Sequence, residues 1–380
     1  MNELRRKIEQ EIQERGAIPF SRYMELCLYD PEFGYYTRNA GQFGKAGDFY
    51  TSSDVHAVFG RLLARQFEEM WHALDSPEVL ELRELGPGRG LFAQDVLDCS
   101  QKKFPEFFRS LRYSLVESSP ALRDRLRGTL GKHIASGKAG VLDAGSQARS
   151  EDAGLPTIVF ANEFFDALPV EVLSDKGALR IDTRDGQFVE SWAPASREEL
   201  AFLDRYGVHP ESGGRTEVCL GAARQMSQIA ASIERGFFIA IDYGYTRGEQ
   251  LAGRHLDTVM TYREHAASPN PYEAPGEQDI TAHVNFTALA AAAERGGMRA
   301  HKLLTQSQFL IGIGERNQFA DAFEECRLPQ ERAKVALQLK HLVTPAGMGE
   351  AFHVLVASKG VEAARAEGLS GLGFGREGDR

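Results

Sequence analysis

The chain has 380 residues, of which 42% are hydrophobic and 26% are charged, and its formal net charge at pH 7 is −10. This composition is typical of a folded globular protein, and the length suits one large α/β domain with insertions or two smaller domains. This negative net charge disfavours nonspecific binding to nucleic acids, which needs a basic surface. The cysteines Cys27, Cys99, Cys219 and Cys326 lie far apart without a Cys-x-x-Cys pair, so neither a zinc site nor a disulfide framework is predicted.

The N-terminal segment lacks the pattern of a targeting sequence. Residues 1–7 lead directly into a charged amphipathic helix that carries Glu3, Glu9, Glu11 and Glu14. A signal peptide has an apolar centre, and a transit peptide is poor in acids. No apolar stretch has the length of a membrane span. We therefore expect a cytoplasmic protein of bacterial type without a membrane span.

Three regions are predicted along the chain. Residues 1–75 form a helical extension with an irregular middle, residues 76–360 form an α/β domain, and residues 361–380 form a flexible, glycine-rich tail. Strand-like runs alternate with helical patterns in the second region, which indicates a doubly wound sheet. An insertion at about 171–215 includes hairpin strands around Asp185-Gly186.

The most informative stretch is the glycine-spaced turn at residues 84–90, with the sequence Glu-Leu-Gly-Pro-Gly-Arg-Gly. The preceding residues 79–85 alternate apolar and polar side chains, as in a half-buried strand, and a helical pattern follows from Leu91. Glycines at alternate positions let a ligand approach the backbone closely. The turn favours a nucleotide-like cofactor in the crevice of an open α/β sheet, although an ordinary strand-to-helix turn gives the same pattern.

Glu117 ends the next predicted strand, over residues 113–117. In a βαβ unit a carboxylate at this point reaches the hydroxyls of a bound ribose. The alternative is a solvated charge at the end of a strand. We favour ribose binding because of the glycine turn that precedes it.

These features, with further blocks, resemble one family. It comprises S-adenosylmethionine-dependent methyltransferases and includes the mitochondrial complex I assembly-factor arginine methyltransferase and its MidA-like bacterial relatives. The blocks that carry the resemblance are residues 23–36, 47–52, 84–90, 162–170, 242–244, 279–286 and 348–350. They run in order along nearly the whole chain.

The resemblance implies a class I methyltransferase fold. This is a Rossmann-like α/β fold with a seven-stranded sheet, here with an N-terminal helical extension and an inserted β-hairpin region. It also implies S-adenosyl-L-methionine as cofactor, covered by the loop at residues 47–52. The residues assigned to cofactor binding are Gly47, Asp48, Phe49, Tyr50, Thr51, Ser52, Gly86, Pro87, Gly88, Arg89, Gly90, Glu117 and Asn162.

The resemblance also places Asn162 and Glu163 at the end of a strand, facing the methyl group. An arginine acceptor is a poor nucleophile because its guanidinium has a pKa of about 12 or higher, so carboxylates must orient it. Glu163 and Asp166 are the predicted catalytic carboxylates, together with Asn162. Asp166 precedes Ala167-Leu168-Pro169 and fits equally well as a brace of that turn. For Asp242 and His283, catalytic and structural roles both remain open.

The predicted function is therefore methyl transfer from S-adenosylmethionine to arginine in a protein, such as a subunit of a respiratory complex. An alternative is an assembly or chaperone-like binding protein that keeps the cofactor fold with little catalysis. A nicotinamide-dependent oxidoreductase is disfavoured, because its fingerprint Gly-x-Gly-x-x-Gly is not the spacing found before Leu91. The sequence leaves the oligomeric state open.

Overall fold

The computed structural model describes residues 2–38, 57–144, 154–263 and 266–374. Its helices are α1 (Glu3–Arg15), α2 (Phe20–Tyr29), α3 (Tyr35–Arg38), α4 (Ala57–Ala73), α5 (Leu91–Lys103), α6 (Pro105–Ser110), α7 (Pro120–Thr129), α8 (Gly131–Ala135), α9 (Arg197–Tyr206), α10 (Leu220–Ser232), α11 (Arg247–Leu251), α12 (Phe286–Arg295), α13 (Gln306–Glu315), α14 (Ala320–Phe323), α15 (Pro329–Val343) and α16 (Ala363–Glu367), followed by a 3-10 turn (Ser370–Leu372).

The strands are β1 (Ile18–Pro19), β2 (Leu80–Leu85), β3 (Leu111–Glu117), β4 (Ala139–Asp143), β5 (Thr157–Asn162), β6 (Glu171–Ser174), β7 (Gly177–Arg184), β8 (Gln187–Ala193), β9 (Arg215–Val218), β10 (Gly236–Tyr245), β11 (Met260–Arg263), β12 (Ala266–Ser268), β13 (Asp279–Thr281), β14 (Val284–Asn285), β15 (Arg299–Ala300), β16 (Leu304–Thr305) and β17 (Phe352–Lys359). Across the described ranges, no helix is both long and apolar enough to span a bilayer.

The described residues fall into two compact units. The first draws on Met1–Phe49, Phe164–Gln228 and Tyr243–Ala292. The second draws on Tyr50–Glu163, Ile229–Asp242 and Ala293–Arg380. Each unit is therefore assembled from three separate stretches of the chain.

A large sheet forms the centre of the second unit, with the strand order β15-β17-β10-β5-β2-β3-β4. The pairs β10–β5, β5–β2, β2–β3 and β3–β4 are parallel, whereas β17 pairs antiparallel with β15 and β16. Parallel neighbours need crossover connections, which the intervening helices supply. This mostly parallel sheet confirms the predicted α/β fold class.

The central strand β2 is more buried than its sequence predicts. Glu81 and Glu84 are only 3% and 5% exposed, because β3 and β5 flank the strand. The Glu81 carboxylate accepts a hydrogen bond from Arg83 Nη2 at 2.7 Å, and the Glu84 carboxyl accepts one from the Tyr113 hydroxyl at 2.7 Å. The prediction of a half-buried strand is wrong, since these partners allow its polar residues to lie inside.

Aromatic packing fixes helices against this sheet. Phe92 on α5 stacks on Phe160 of β5 with ring centroids 4.6 Å apart, and Phe67 on α4 meets Phe160 edge-on at 5.6 Å. All three rings are buried. The start of α5, directly after the glycine turn, is thus anchored to the middle of the sheet.

The first unit contains a five-stranded sheet in which β1-β7-β6-β9 are neighbours and β8 pairs with β7, and a three-stranded sheet in the order β12-β11-β13. The β7–β8 hairpin confirms the turn predicted at Asp185-Gly186, with Arg184 opposite Gln187. Both turn residues have positive φ, 51° and 70°, as a two-residue hairpin turn requires.

The C-terminal residues differ from the predicted flexible tail. The described part includes α16 and a 3-10 turn, in which Leu369 and Leu372 are buried. The backbone amide of Gly371 donates to Gln66 Oε1 at 2.9 Å. A Cβ at position 371 would lie 2.4 Å from the Phe309 ring, so glycine here permits close packing rather than disorder.

Candidate functional site

The glycine turn joins β2 to α5 in the second unit. Gly86, Gly88 and Gly90 have φ values of 62°, 53° and 76°, a region that favours glycine. The amide of Gly86 donates to Val116 O on β3 at 3.1 Å, and that of Gly90 donates to Pro87 O at 2.9 Å. The predicted turn therefore has a fixed backbone course that residues with a side chain would strain.

The two sides of this turn differ. A Cβ at Gly90 would lie 2.7 Å from Leu126 Cδ2, so this glycine is packed against α7. Around Gly88, no described atom outside this residue and its two chain neighbours comes within 4 Å of the corresponding Cβ position. Gly88 thus offers bare backbone to a ligand, whereas Gly90 serves close packing.

Glu117 ends β3 and is only 7% exposed. Its Oε1 accepts hydrogen bonds from the Ser119 amide at 2.8 Å and the Ser118 hydroxyl at 3.4 Å. Burial raises the pKa of the carboxyl, and these hydrogen bonds oppose the shift. The alternative of a solvated charge at a strand end is therefore wrong, since the side chain is buried and oriented.

Asn162, the last residue of β5, and Glu163, which follows it, form a hydrogen-bonded pair. Asn162 Nδ2 donates to Glu163 Oε1 at 3.0 Å, and the Glu163 amide donates to Ile241 O at 2.9 Å. Glu163 has a positive φ of 49°, which is uncommon for a residue with a side chain. Asn162 Oδ1 is buried and accepts no hydrogen bond within the described part of the chain. Backbone strain and such polar atoms are typical of functional sites.

The register of the sheet brings these groups to one edge. Leu85 on β2 lies opposite Val116 on β3 and opposite Ala161 on β5. Since the three strands are parallel, the residues that follow, Gly86, Glu117 and Asn162, meet at their shared carboxyl end. Ligands of open α/β sheets bind at this edge.

Asp166 lies in the first unit, three residues after Glu163 in the chain, and is 5% exposed. Its carbonyl accepts a hydrogen bond from the Ala282 amide at 3.0 Å. The backbone of Asp166 therefore ties its turn to the segment between β13 and β14, while the role of its carboxylate remains a prediction.

Tyrosines accompany Asp166 in the first unit. The Tyr36 hydroxyl donates to Asp279 Oδ1 at 2.9 Å, and Tyr262 lies opposite Asp279 across β11 and β13. Burial raises the pKa of Tyr36 and of Tyr262, and the charges of Asp166 and Asp279 raise both further. No sequence pattern predicts a role for Tyr262 or Asp279, although Asp279 begins one of the blocks that carry the family resemblance.

His283 belongs to a partly buried polar group in the first unit, in which Glu217 alone is fully buried. Its Nδ1 lies 3.1 Å from His255 Nδ1, and its amide donates to Thr258 Oγ1 at 3.0 Å. Thr258 donates in turn to the Glu217 carboxyl, from its amide at 2.7 Å and its hydroxyl at 3.0 Å. Burial raises the pKa of Glu217 to about 7.

Asp242 is the last residue of β10 that belongs to the second unit, and it is only 1% exposed.

The predicted cofactor-covering residues Gly47, Asp48, Phe49, Tyr50, Thr51 and Ser52 lie outside the described residues.

Comparisons with known proteins agree on one family. Residues 62–304 match a protein-family model of S-adenosyl-L-methionine-dependent methyltransferases. The chain is 30% identical over 404 residues to the Drosophila melanogaster homologue of the mitochondrial protein arginine methyltransferase NDUFAF7, covering 98% of this chain and 88% of that protein. It is also 30% identical over 386 residues to NDUFAF7 of Danio rerio, covering 89% of this chain and 82% of that one.

A solved structure is similar over the full length. It is a crystal structure of a Burkholderia thailandensis protein bound to S-adenosyl-homocysteine, with 30% identity and a TM-score of 0.83. The match covers 99% of this chain and 95% of that one.

The expected cytoplasmic location is contradicted by the relatives. Those from Drosophila melanogaster, Danio rerio and Homo sapiens are all named as mitochondrial proteins.

The residues at the sheet edge fit S-adenosylmethionine. Buried Glu117 offers carboxylate oxygens to ribose hydroxyls, and buried Asn162 Oδ1 offers an acceptor to a donor on the ligand. The open side of Gly88 admits close approach to the backbone. Each of these features belongs to the second unit, and none requires a metal ion.

Proposed function

The chain belongs to the family of S-adenosyl-L-methionine-dependent methyltransferases, and we propose that it methylates a guanidinium nitrogen of a protein arginine. Methyltransferase activity and the cofactor follow from the family. The acceptor is supported by relatives that are named protein arginine methyltransferases and align with 80% or more of both chains.

On the cofactor side, we assign the methionine part of S-adenosylmethionine to the turn of Gly86, Pro87, Gly88, Arg89 and Gly90, and the ribose to Glu117. When bound, this cofactor supplies an activated methyl group on a sulfonium. We further assign residues 47–52 of the N-terminal extension to covering it. Because the donor needs little activation, the protein's main task is to hold the acceptor nitrogen in line with the methyl group.

On the acceptor side, the observation that carries the proposal is the Asn162–Glu163 pair. The Glu163 carboxylate would bind the guanidinium by charge-assisted hydrogen bonds, which are strong and directional. Asn162 Nδ2 would orient that carboxylate through its 3.0 Å hydrogen bond. The nitrogen that gains the methyl group loses a proton, and we assign its acceptance to Glu163.

Asp166 is the second carboxylate of the proposal. Asp166 is buried, and its backbone is fixed through the Ala282 amide.

We propose that the acceptor is presented by a protein partner. A homologue of a respiratory complex I subunit is one candidate for this partner, and the same chemistry applies to an arginine of any other protein subunit.

The proposal is tested by transfer of a labelled methyl group from S-adenosylmethionine into lysate proteins. Wild type should label a discrete protein band, whereas Glu163→Gln, which keeps the shape but removes the charge, should reduce labelling at least tenfold. Glu198→Gln is the matched control, because Glu198 is exposed on α9 and forms a surface ion pair with Arg224.

The outcomes separate the alternatives. Equal labelling by wild type and Glu163→Gln would contradict the role of Glu163. Label found in small molecules alone would contradict a protein acceptor. Tight binding of S-adenosyl-homocysteine without any transfer would favour the assembly or chaperone-like binding protein.

A further inference from the structure

A buried carboxyl, that of Glu84, lies on β2 just before the glycine turn. The proposed methyl transfer does not use it. Glu84 is 5% exposed, and its Oε2 accepts a hydrogen bond from the Tyr113 hydroxyl at 2.7 Å. Within the described ranges of the chain, no lysine, arginine or histidine forms an ion pair with Glu84. It is an acid held in the protein interior by a neutral partner.

Its position links it to the cofactor. Glu84 precedes Gly86 by two residues, and a strand rises about 3.3 Å per residue, so the two Cα atoms are roughly 7 Å apart. Across the sheet, Glu84 lies opposite Leu115 on β3 and Phe160 on β5, both buried and apolar. A charge bound at the turn would therefore act on Glu84 through a poorly screened medium.

Few titratable groups influence this carboxyl. Tyr113 on β3 donates a hydrogen bond to Glu84. Phe160, the residue on β5 that lies opposite Glu84, carries no charge. The other acids at this edge are Glu117, the last residue of β3, and Glu163, the residue after β5. Burial raises the pKa of Glu84 to about 8, opposed by the Tyr113 hydrogen bond. The carboxyl is thus mostly protonated at pH 7.

We propose that Glu84 loses its proton when S-adenosylmethionine binds, and that the Tyr113 hydroxyl stabilises the resulting carboxylate. The O–H bond of the carboxyl breaks, its electron pair stays on oxygen, and the proton passes to the solvent. The sulfonium and ammonium groups of the cofactor exceed its single carboxylate by one positive charge, which favours an anion nearby. S-adenosyl-homocysteine lacks the sulfonium and has no such excess. Glu84 and Tyr113 are positioning residues in this account.

The test is calorimetric titration of the full chain at pH 7 in phosphate and in Tris, two buffers with different ionisation enthalpies. The dependence of the binding heat on the buffer gives the protons released, and no methyl acceptor is needed. Wild type should release roughly half a proton or more per S-adenosylmethionine bound, and clearly less with S-adenosyl-homocysteine. Glu84→Gln should abolish this difference between the two ligands.

Glu81→Gln is the matched control, because Glu81 is equally buried on the same strand but is held by Arg83. It should release protons as wild type does. An unchanged release by Glu84→Gln, or no release by wild type, would overturn the proposal.

A second variant covers the case in which Glu84→Gln does not fold. Tyr113→Phe keeps the carboxyl but removes its hydrogen bond, so the affinity for S-adenosylmethionine should fall several-fold more than that for S-adenosyl-homocysteine. An equal loss for both ligands would contradict the role of Tyr113 in holding the anion.

Discussion

Asn162 and Glu163 are neighbours in the chain whose side chains are joined by a 3.0 Å hydrogen bond. Adjacent residues of a strand point to opposite faces, so this contact needs the turn that Glu163 makes at a φ of 49°. The amide thereby fixes a carboxylate at the end of β5.

Asn162→Ala should lower kcat for methyl transfer by roughly tenfold to a hundredfold, because a hydrogen bond to a charged group contributes about 1.5–3 kcal/mol. Steady-state kinetics with a methyl-accepting protein measure this loss. An unchanged kcat would show that the amide does not orient Glu163.

The glycines of the turn should separate stability from binding. Gly90→Ala should lower the free energy of unfolding by more than the roughly 1–2 kcal/mol of left-handed strain alone, since its Cβ would meet Leu126. Gly88→Ala has the same strain without a collision, and its Cβ would project into the open side. Urea unfolding should therefore show the larger loss of stability in Gly90→Ala. Titration with S-adenosyl-homocysteine, compared between folded proteins, should show the larger loss of affinity in Gly88→Ala. The reverse order would contradict the division between packing and ligand sides.

Glu117→Gln should weaken S-adenosyl-homocysteine binding about tenfold or more, because a carboxylate that accepts hydrogen bonds from ribose is replaced by an amide. Asp143 lies opposite Glu117 at the end of β4 but is half exposed and paired with Arg123 at 3.0 Å. Asp143→Asn should leave the affinity unchanged, since surface ion pairs contribute little. Equal effects of the two variants would remove the assignment of Glu117 to the ribose.

The parts of the fold that were predictable depend on local pattern. The glycine turn, the Asp185-Gly186 hairpin and the ends of β3 and β5 follow from residue types within a few positions of each other. Each signal is local because it reports a backbone conformation or a repeat of side-chain direction.

The parts that were missed depend on distant partners. Glu84 belongs to a strand that the sequence predicts to be half-buried, but Tyr113, 29 residues later, donates a hydrogen bond to its carboxyl in the interior. Gly371 looked like part of a flexible tail, but Gln66, 305 residues earlier, binds its amide. The residues next to Glu84 or Gly371 in the sequence carry no pattern that predicts either contact, so only the folded structure reveals them.

The stability of the first unit should depend on the charge of Glu217. Burial raises its pKa from an ordinary 4.5 to about 7. Between these two pH values the folded state therefore keeps a proton on Glu217 that the unfolded state has lost. This contribution to stability is complete below about pH 4.5 and disappears as the pH rises through about 7.

Glu217→Gln, which cannot ionise, should therefore become more stable relative to wild type by roughly 2–3 kcal/mol between pH 5 and pH 8. Urea unfolding at both pH values measures this difference. A difference that stays constant with pH would show that Glu217 ionises in the folded protein as readily as in the unfolded chain.

Methyl transfer to a protein arginine is tested most directly by complete hydrolysis of the labelled protein product and amino-acid analysis. We expect the label from wild-type enzyme to be recovered as methylated arginine, and Glu163→Gln to yield almost none. Recovery of the label as methyl-lysine, methyl-histidine or a base-labile methyl ester would contradict arginine as the acceptor.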